Sequence, residues 1–183
     1  LKASDFVNNN KNFKKVTFVV TDGTLEITKR DVTLTSGSAS RHYTGSALTN
    51  ENVTVSGDGF VKGEGATYDV TGTITNVGKV NNEFTYKLKD GTNEKNYNIT
   101  TVPGELEVTP VTDEVVVTIQ GNTDSKPYNG TEQNVTDYKV VSISNALYTS
   151  ENVGLKDGVL AKAKGTNVGT YPMGLTAASF ANN

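Results

Sequence analysis

The chain contains no cysteine and only one histidine, His42, in 183 residues. The first absence removes disulfides, thiolate nucleophiles and thiolate metal sites. The second leaves a single imidazole for acid–base chemistry or metal binding. Charge of neither sign dominates: 17 basic residues face 20 acidic ones, for a net charge of −3. No basic stripe of the kind that phosphates attract is present, and a mixed, mildly acidic surface supports solubility. No apolar run approaches the roughly 20 residues of a membrane-spanning helix. The opening Leu1-Lys2-Ala3-Ser4-Asp5 is neither an initiator methionine nor a basic-then-apolar leader. That start is expected of an internal piece whose export signal and anchor lie elsewhere. Apolar residues make up only 34% and glycine contributes 18 positions, which favours short strands and many turns over one large core.

What the chain does have is itself, repeated. Arg41-His42-Tyr43-Thr44-Gly45-Ser46 aligns with Lys126-Pro127-Tyr128-Asn129-Gly130-Thr131 on Tyr-x-Gly, and each lies downstream of an apolar alternation, Val32/Leu34 or Val117/Ile119. Thr75-Asn76-Val77-Gly78 matches Thr166-Asn167-Val168-Gly169. Gly104-Glu105-Leu106-Glu107-Val108-Thr109 matches Gly23-Thr24-Leu25-Glu26-Ile27-Thr28. Leu1, Ala3, Phe6, Asn8 and Asn9 recur in phase as Leu175, Ala177, Phe180, Asn182 and Asn183. The order of the blocks predicts a complete repeat domain over residues 31–110. Residues 1–30 then form the C-terminal part of one repeat. Residues 111–183 form the N-terminal and middle part of another, lacking what residues 1–30 would supply.

The apolar period is two. Val16, Phe18 and Val20 alternate with polar or outward positions, as do Tyr68, Val70 and Ile74, and Val115, Val117 and Ile119. Asp22-Gly23, Asp58-Gly59, Asp90-Gly91, Asn129-Gly130 and Asp157-Gly158 punctuate the runs, and such pairs suit tight hairpins. The expected fold is all-β, as tandem small β-sandwiches. A helical turn within residues 1–12 and its copy from Leu175 points to the alternative, grasp-like α+β units with one short helix. Joints such as 29–31 and 109–114 are short, so successive units are expected to stack stiffly.

Taken in order, Lys126-Pro127-Tyr128-Asn129-Gly130-Thr131, Asn167-Val168-Gly169-Thr170-Tyr171 and Asp22-Gly23-Thr24-Leu25-Glu26-Ile27-Thr28 resemble the MBG/YDG-type repeats of bacterial adhesins. Nearly the whole chain is covered, although Val80 stands where Tyr171 does and Pro103 where Asp22 does. The resemblance implies an Ig-like repeat of a long extracellular protein at the bacterial cell surface or wall, and it brings no catalytic site. A disulfide-free chain agrees with that setting.

His42 has no Gly-x-Ser-x-Gly or comparable motif around it and is expected to be solvated or locally hydrogen-bonded. Asp113/Glu114 and Glu64/Asp69 are the candidate carboxylate pairs, expected to be linker and strand-surface charges. Thr112-Asp113-Glu114 and Asn122-x-Asp124 fall short of a calcium loop. The run Gly57-Asp58-Gly59-Phe60-Val61-Lys62-Gly63 is one residue too long for a dinucleotide loop and is expected to be a hairpin turn. Tyr43 and Tyr128 are expected to plug their domain cores rather than stack on sugars. The sequons at Asn52, Asn98, Asn129 and Asn134 follow from Asn/Thr richness, and a Lys–Asn or Lys–Asp crosslink has no identifiable pair. The expectation is therefore no catalytic, cofactor or metal residues and no cofactor. Two roles remain: a stalk or spacer repeat, or a module that recognises a host glycan or protein. No nucleic acid is expected as partner. Self-association is: the 16–28 strands of one molecule would complete the 111–183 half of another, head to tail.

Overall fold

The computed structural model describes residues 1–182. They form an all-β chain of short strands: β1 Arg30–Ser36, β2 Ala39–His42, β3 Val53–Gly57, β4 Ala66–Val70, β5 Gly78–Asn82, β6 Phe84–Leu88, β7 Tyr97–Val102, β8 Gly104–Thr109, β9 Val117–Gly121, β10 Gln133–Thr136, β11 Tyr138–Ile143, β12 Val153–Leu155, β13 Lys162–Gly165 and β14 Phe180–Asn182. Helical structure among the described residues amounts to three-residue 3-10 turns, at Ala3–Asp5, Glu94–Asn96, Ser150–Asn152 and Ala177–Ser179. The α+β alternative does not form. The turns expected near Leu1 and Leu175 are present, but at three residues each is too short to cover a sheet.

The sheets are small: β3-β1-β7, β2-β8-β5, and the pairs β4-β6, β9-β11, β10-β13 and β12-β14. Among the described residues, no two strands that follow one another in the chain are hydrogen-bonded neighbours. This corrects the hairpin expectation. Gly59, Gly91, Gly130 and Gly158 do take positive φ, yet their turns hand the chain from one sheet to another. The Gly57 to Gly63 run likewise leaves β3, which pairs with β1, and leads to β4, which pairs with β6. Turn chemistry fixes where a chain reverses; which edge it then meets is set by the apolar faces it must bury.

The chain divides into two compact units. The first comprises Leu1–Ala39, Thr49–Thr73 and Val80–Leu106. Its core is Val32, Leu34 and Tyr97, at 1%, 0% and 4% exposure, packed by Val53, Phe60, Tyr68, Phe84, Tyr86 and Ile99. Alternation explains why β1 is central. Val32, Leu34 and Ser36 point inward, and the strand is paired on both edges, antiparallel to β3 and parallel to β7. The second unit comprises Ser40–Leu48, Ile74–Lys79 and Glu107–Asn183. Its buried apolar residues are Leu48, Val108, Ala161 and Ala163, two of them only alanines.

Pairing registers recur along the chain. Leu34 faces Val55 in β1/β3, and Ile119 faces Val140 in β9/β11, each partner 85 positions further on. Leu48 bridges Ile74, while Gln133, 85 positions beyond Leu48, faces Gly165, which lies 91 beyond Ile74, so this second pairing recurs with a six-residue shift. The amide of Gly37 donates to the carbonyl of Asn52, and that of Asn122 to Asp137, again 85 positions on at both ends.

One expected pair of strands is missing. Residues 6–29 contain no strand although Val16, Phe18 and Val20 alternate as strands do. Phe18 rests against Phe6, ring centroids 5.8 Å apart, and the chain's amino terminus meets Asp22 at 3.0 Å. Leu25 and Ile27, however, are each 87% exposed. Extended backbone without a ladder partner is not a strand, whatever its side chains.

Candidate functional site

The second unit holds an open cleft of about 770 Å³, lined by residues 121–126, Tyr128, 133–135 and 163–175. Its floor is β10 and β13, with Ala163 buried and Val135 half-buried. Its two walls, residues 122–129 and 170–176, belong to no strand. Tyr128 is 66% exposed and Tyr171 44%, the latter donating its hydroxyl proton to the Asn167 carbonyl at 3.1 Å. Lys126 Nζ donates to the Asn134 carbonyl at 2.9 Å and pairs with Asp124 at 3.2 Å. Its hydrogen bond holds the Asp124 carboxyl below the ordinary value. A second hollow of about 460 Å³ runs past Val117, Ile119, Gly121, Tyr148, Val153 and Phe180. It lies along β9, which among the described residues pairs with β11 alone, whereas β1 has neighbours on both edges.

The structure separates the other sequence candidates. His42 ends β2, where its Nδ1 lies 3.0 Å from the Pro110 carbonyl and 2.9 Å from Thr109 Oγ1. A carbonyl only accepts, so Nδ1 carries the proton toward it and the ring braces this turn. Asp113 and Glu114 are exposed in the segment between β8 and β9. Glu64 accepts a hydrogen bond from the Tyr97 hydroxyl at 2.6 Å, while Asp69 is an outward residue of β4 facing Thr85. In the Gly57–Gly63 run, the carbonyls of Asp58 and Gly59 accept from the Arg30 guanidinium, and Phe60 packs edge-on against Tyr97 at 5.1 Å. Asn122 Nδ2 donates to the Thr136 carbonyl. Asn52, Asn98, Asn129 and Asn134 are all exposed. Among the described residues, no three His, Asp or Glu side chains gather as a metal site would require.

The tyrosine expectation is corrected. Tyr43 is half-buried and Tyr128 mostly exposed, so neither fills a core. Each phenol oxygen instead lies about 4 Å from where a Cβ would stand on its glycine partner, Gly45 or Gly130.

Two buried polar groups in the first unit escaped the sequence. Asn82 has no exposure; its amide donates to the carbonyls of Gly37 and Asn50 at 2.8 and 2.7 Å. Ser36 donates to the Asn82 carbonyl at 2.6 Å and accepts from the Gly104 amide at 2.8 Å. This network fastens β1 and β5 to the start of β8. Tyr97 is the other: burial, and then the hydrogen bond to Glu64, raise its phenol above the ordinary value. Asn82 is inward only through the phase of β5, whose preceding residue Asn81 is exposed.

No family model, curated protein or solved structure matches this chain.

Proposed function

We propose that this chain is a non-enzymatic repeat of a bacterial cell-surface protein, an extracellular stalk or adhesin-body segment built from small Ig-like β-sandwiches of the MBG/YDG type. The observation that carries the reading is the recurrence of the β1/β3 pairing in β9/β11 at 85 positions, from Leu34/Val55 to Ile119/Val140, together with the backbone bond from Gly37 to Asn52 that recurs from Asn122 to Asp137. Side-chain similarity can arise from shared composition; shared pairing partners at one fixed offset are what a repeated structural unit produces. The ordered motifs Tyr-x-Gly, Asn-Val-Gly and Gly-x-Leu-Glu-(Val/Ile)-Thr add to it. In this reading self-association runs head to tail, through segments that have found no strand partner. The test is surface labelling of cells that carry the parent gene. Protease-accessible epitopes of this chain on intact cells support the role, and an exclusively internal protein overturns it.

A binding module is the second reading, favoured by one observation: Tyr128 and Tyr171 both present exposed rings at the same cleft. Stacked sugars use such faces, and host-protein contacts use exposed tyrosines as anchors. A glycan array probed with the intact chain separates the two. The stalk gives no saturable hit, whereas the module gives one that Tyr128→Ala abolishes.

A further inference from the structure

We infer that Asn129 is a site of spontaneous covalent modification, whatever the chain's role at a surface. Its side-chain amide condenses with the main-chain nitrogen of Gly130, loses ammonia, and hydrolyses to aspartate or isoaspartate.

Such a reaction needs a nucleophile, an activated carbonyl and access to water. Gly130 supplies the nucleophile. Among the described residues its amide donates to no acceptor, so no hydrogen bond has to break before its proton leaves. Asn129 supplies the carbonyl. Its Oδ1 accepts from the Thr131 amide at 3.0 Å and from the Thr131 hydroxyl at 2.9 Å. As nitrogen adds to Cγ, negative charge gathers on Oδ1, and donors already aimed there stabilise it in the manner of an oxyanion hole. Residues 129–131 are exposed and belong to no strand, so water reaches all three.

The same turn elsewhere in the chain lacks the reactive pair. An Asn Oδ1 accepts from the amide two residues on at Asn50, Asn93 and Asn145 as well, with Asn52, Lys95 and Leu147 as donors. There the next residue is Glu51, Glu94 or Ala146, whose Cβ crowds the attacking nitrogen; Asn129-Gly130 is the only Asn-Gly in the sequence. The Asp-Gly pairs offer a carboxylate, which resists addition until it is protonated. The complete repeat also holds this turn. Gly45 and Gly130 have φ of 75° and 76°, and the Tyr43 and Tyr128 phenol oxygens lie 4.0 and 3.9 Å from where a Cβ would stand on each. Thr44 occupies the place of Asn129 there. One copy of the turn is reactive and the other inert.

The chemistry consumes only water. The Gly130 nitrogen gives up its proton and bonds to Cγ of Asn129. The Cγ–Nδ2 bond breaks, ammonia departs with a proton, and a five-membered succinimide remains. Water then adds to either imide carbonyl and opens the ring. Both products add one negative charge to the net of −3 and erase the sequon at Asn129. Isoaspartate also lengthens the main chain by one carbon between Pro127 and Gln133, across which Gln133 Nε2 donates to the Pro127 carbonyl at 2.9 Å. The entry to β10 is therefore where that product disturbs the fold.

The experiment incubates the full chain at mildly alkaline pH, in native buffer and in urea. Peptide mass mapping follows each Asn, and enzymatic methylation of isoaspartate counts that product. In native buffer Asn129 is expected to convert ahead of every other Asn. Thr131→Val, an exposed change that removes the hydroxyl donor, should slow it about two- to tenfold, the worth of one hydrogen bond. In urea, where the turn is lost, the two chains should convert at the same rate. Thr44→Asn should create a second site at position 44. Conversion spread evenly over the asparagines overturns the inference, as does an Asn129 that stays intact in native buffer while the urea-unfolded chain converts. So does a Thr131→Val chain that matches the parent in native buffer or is slowed equally in urea, and so does a Thr44→Asn chain without a second site.

Discussion

Residues 104–109 and 23–28 carry nearly the same six side chains and have opposite fates. In β8, Leu106 and Val108 are 0% and 2% exposed; Leu25 and Ile27 are each 87% exposed. Propensity and pattern are shared, so neither makes the difference. β8 has a strand on each edge and an apolar surface to cover, and residues 23–28 have neither. A six-residue β sequence specifies which face it will bury, but the free energy comes from the partner.

The largest break in that comparison is expected at the paired leucines. Leu106→Ala should cost roughly 2–5 kcal/mol of stability through a core cavity. Leu25→Ala should stay within about 0.5 kcal/mol in the dilute chain. Urea unfolding of both measures the contrast directly. Equal losses would mean that the 23–28 segment is already packed. The glycines follow. Gly104→Ala forces backbone apart and should cost about 1–3 kcal/mol, while Gly23→Ala, with nothing within 4 Å of the added carbon, should leave the urea midpoint unchanged. Asn82→Ala should cost about 2 kcal/mol, because the Gly37 and Asn50 carbonyls lose their donor inside the first unit. Its thermal midpoint, compared with that of Asn81→Ala on the exposed side of β5, checks this.

The smallest expected effect concerns Tyr97, which sits in β7 at the place Val16 holds in the unpaired segment. Burial and Glu64 raise its phenol above 10.0. The folded chain therefore holds that proton more tightly than the unfolded chain does. The stabilisation is complete below the ordinary value and is lost as pH climbs through the folded one. Tyr97→Phe should flatten the fall in stability above about pH 10, measured by urea unfolding at stepped pH. An unchanged slope would place the alkaline loss elsewhere.

Much of the architecture was legible before any coordinates. The period-two runs around Val32 and Val117 are β1 and β9, and the Gly-x-Leu-Glu-Val-Thr block is β8, as alternation requires. The exits from strands at Gly59, Gly91, Gly130 and Gly158 were legible too. Edge choice was not. An Asp-Gly pair reports a local φ, whereas the pairing of β1 with β7 depends on faces brought together from 67 positions away. Burial of polar groups was equally hidden: Asn82 is inward only because β5 phases it so. Tyr128 failed in the other direction. A tyrosine at a fixed phase need not fill a core: Tyr128 lies in backbone that belongs to no strand. The cleft itself has no sequence motif.

Amide hydrogen exchange resolved at Leu25, Ile27, Leu106 and Val108 tests the central claim most directly. At low concentration Leu106 and Val108 should be protected and Leu25 and Ile27 open. Amides at 25 and 27 as well protected as those at 106 and 108 would contradict the account.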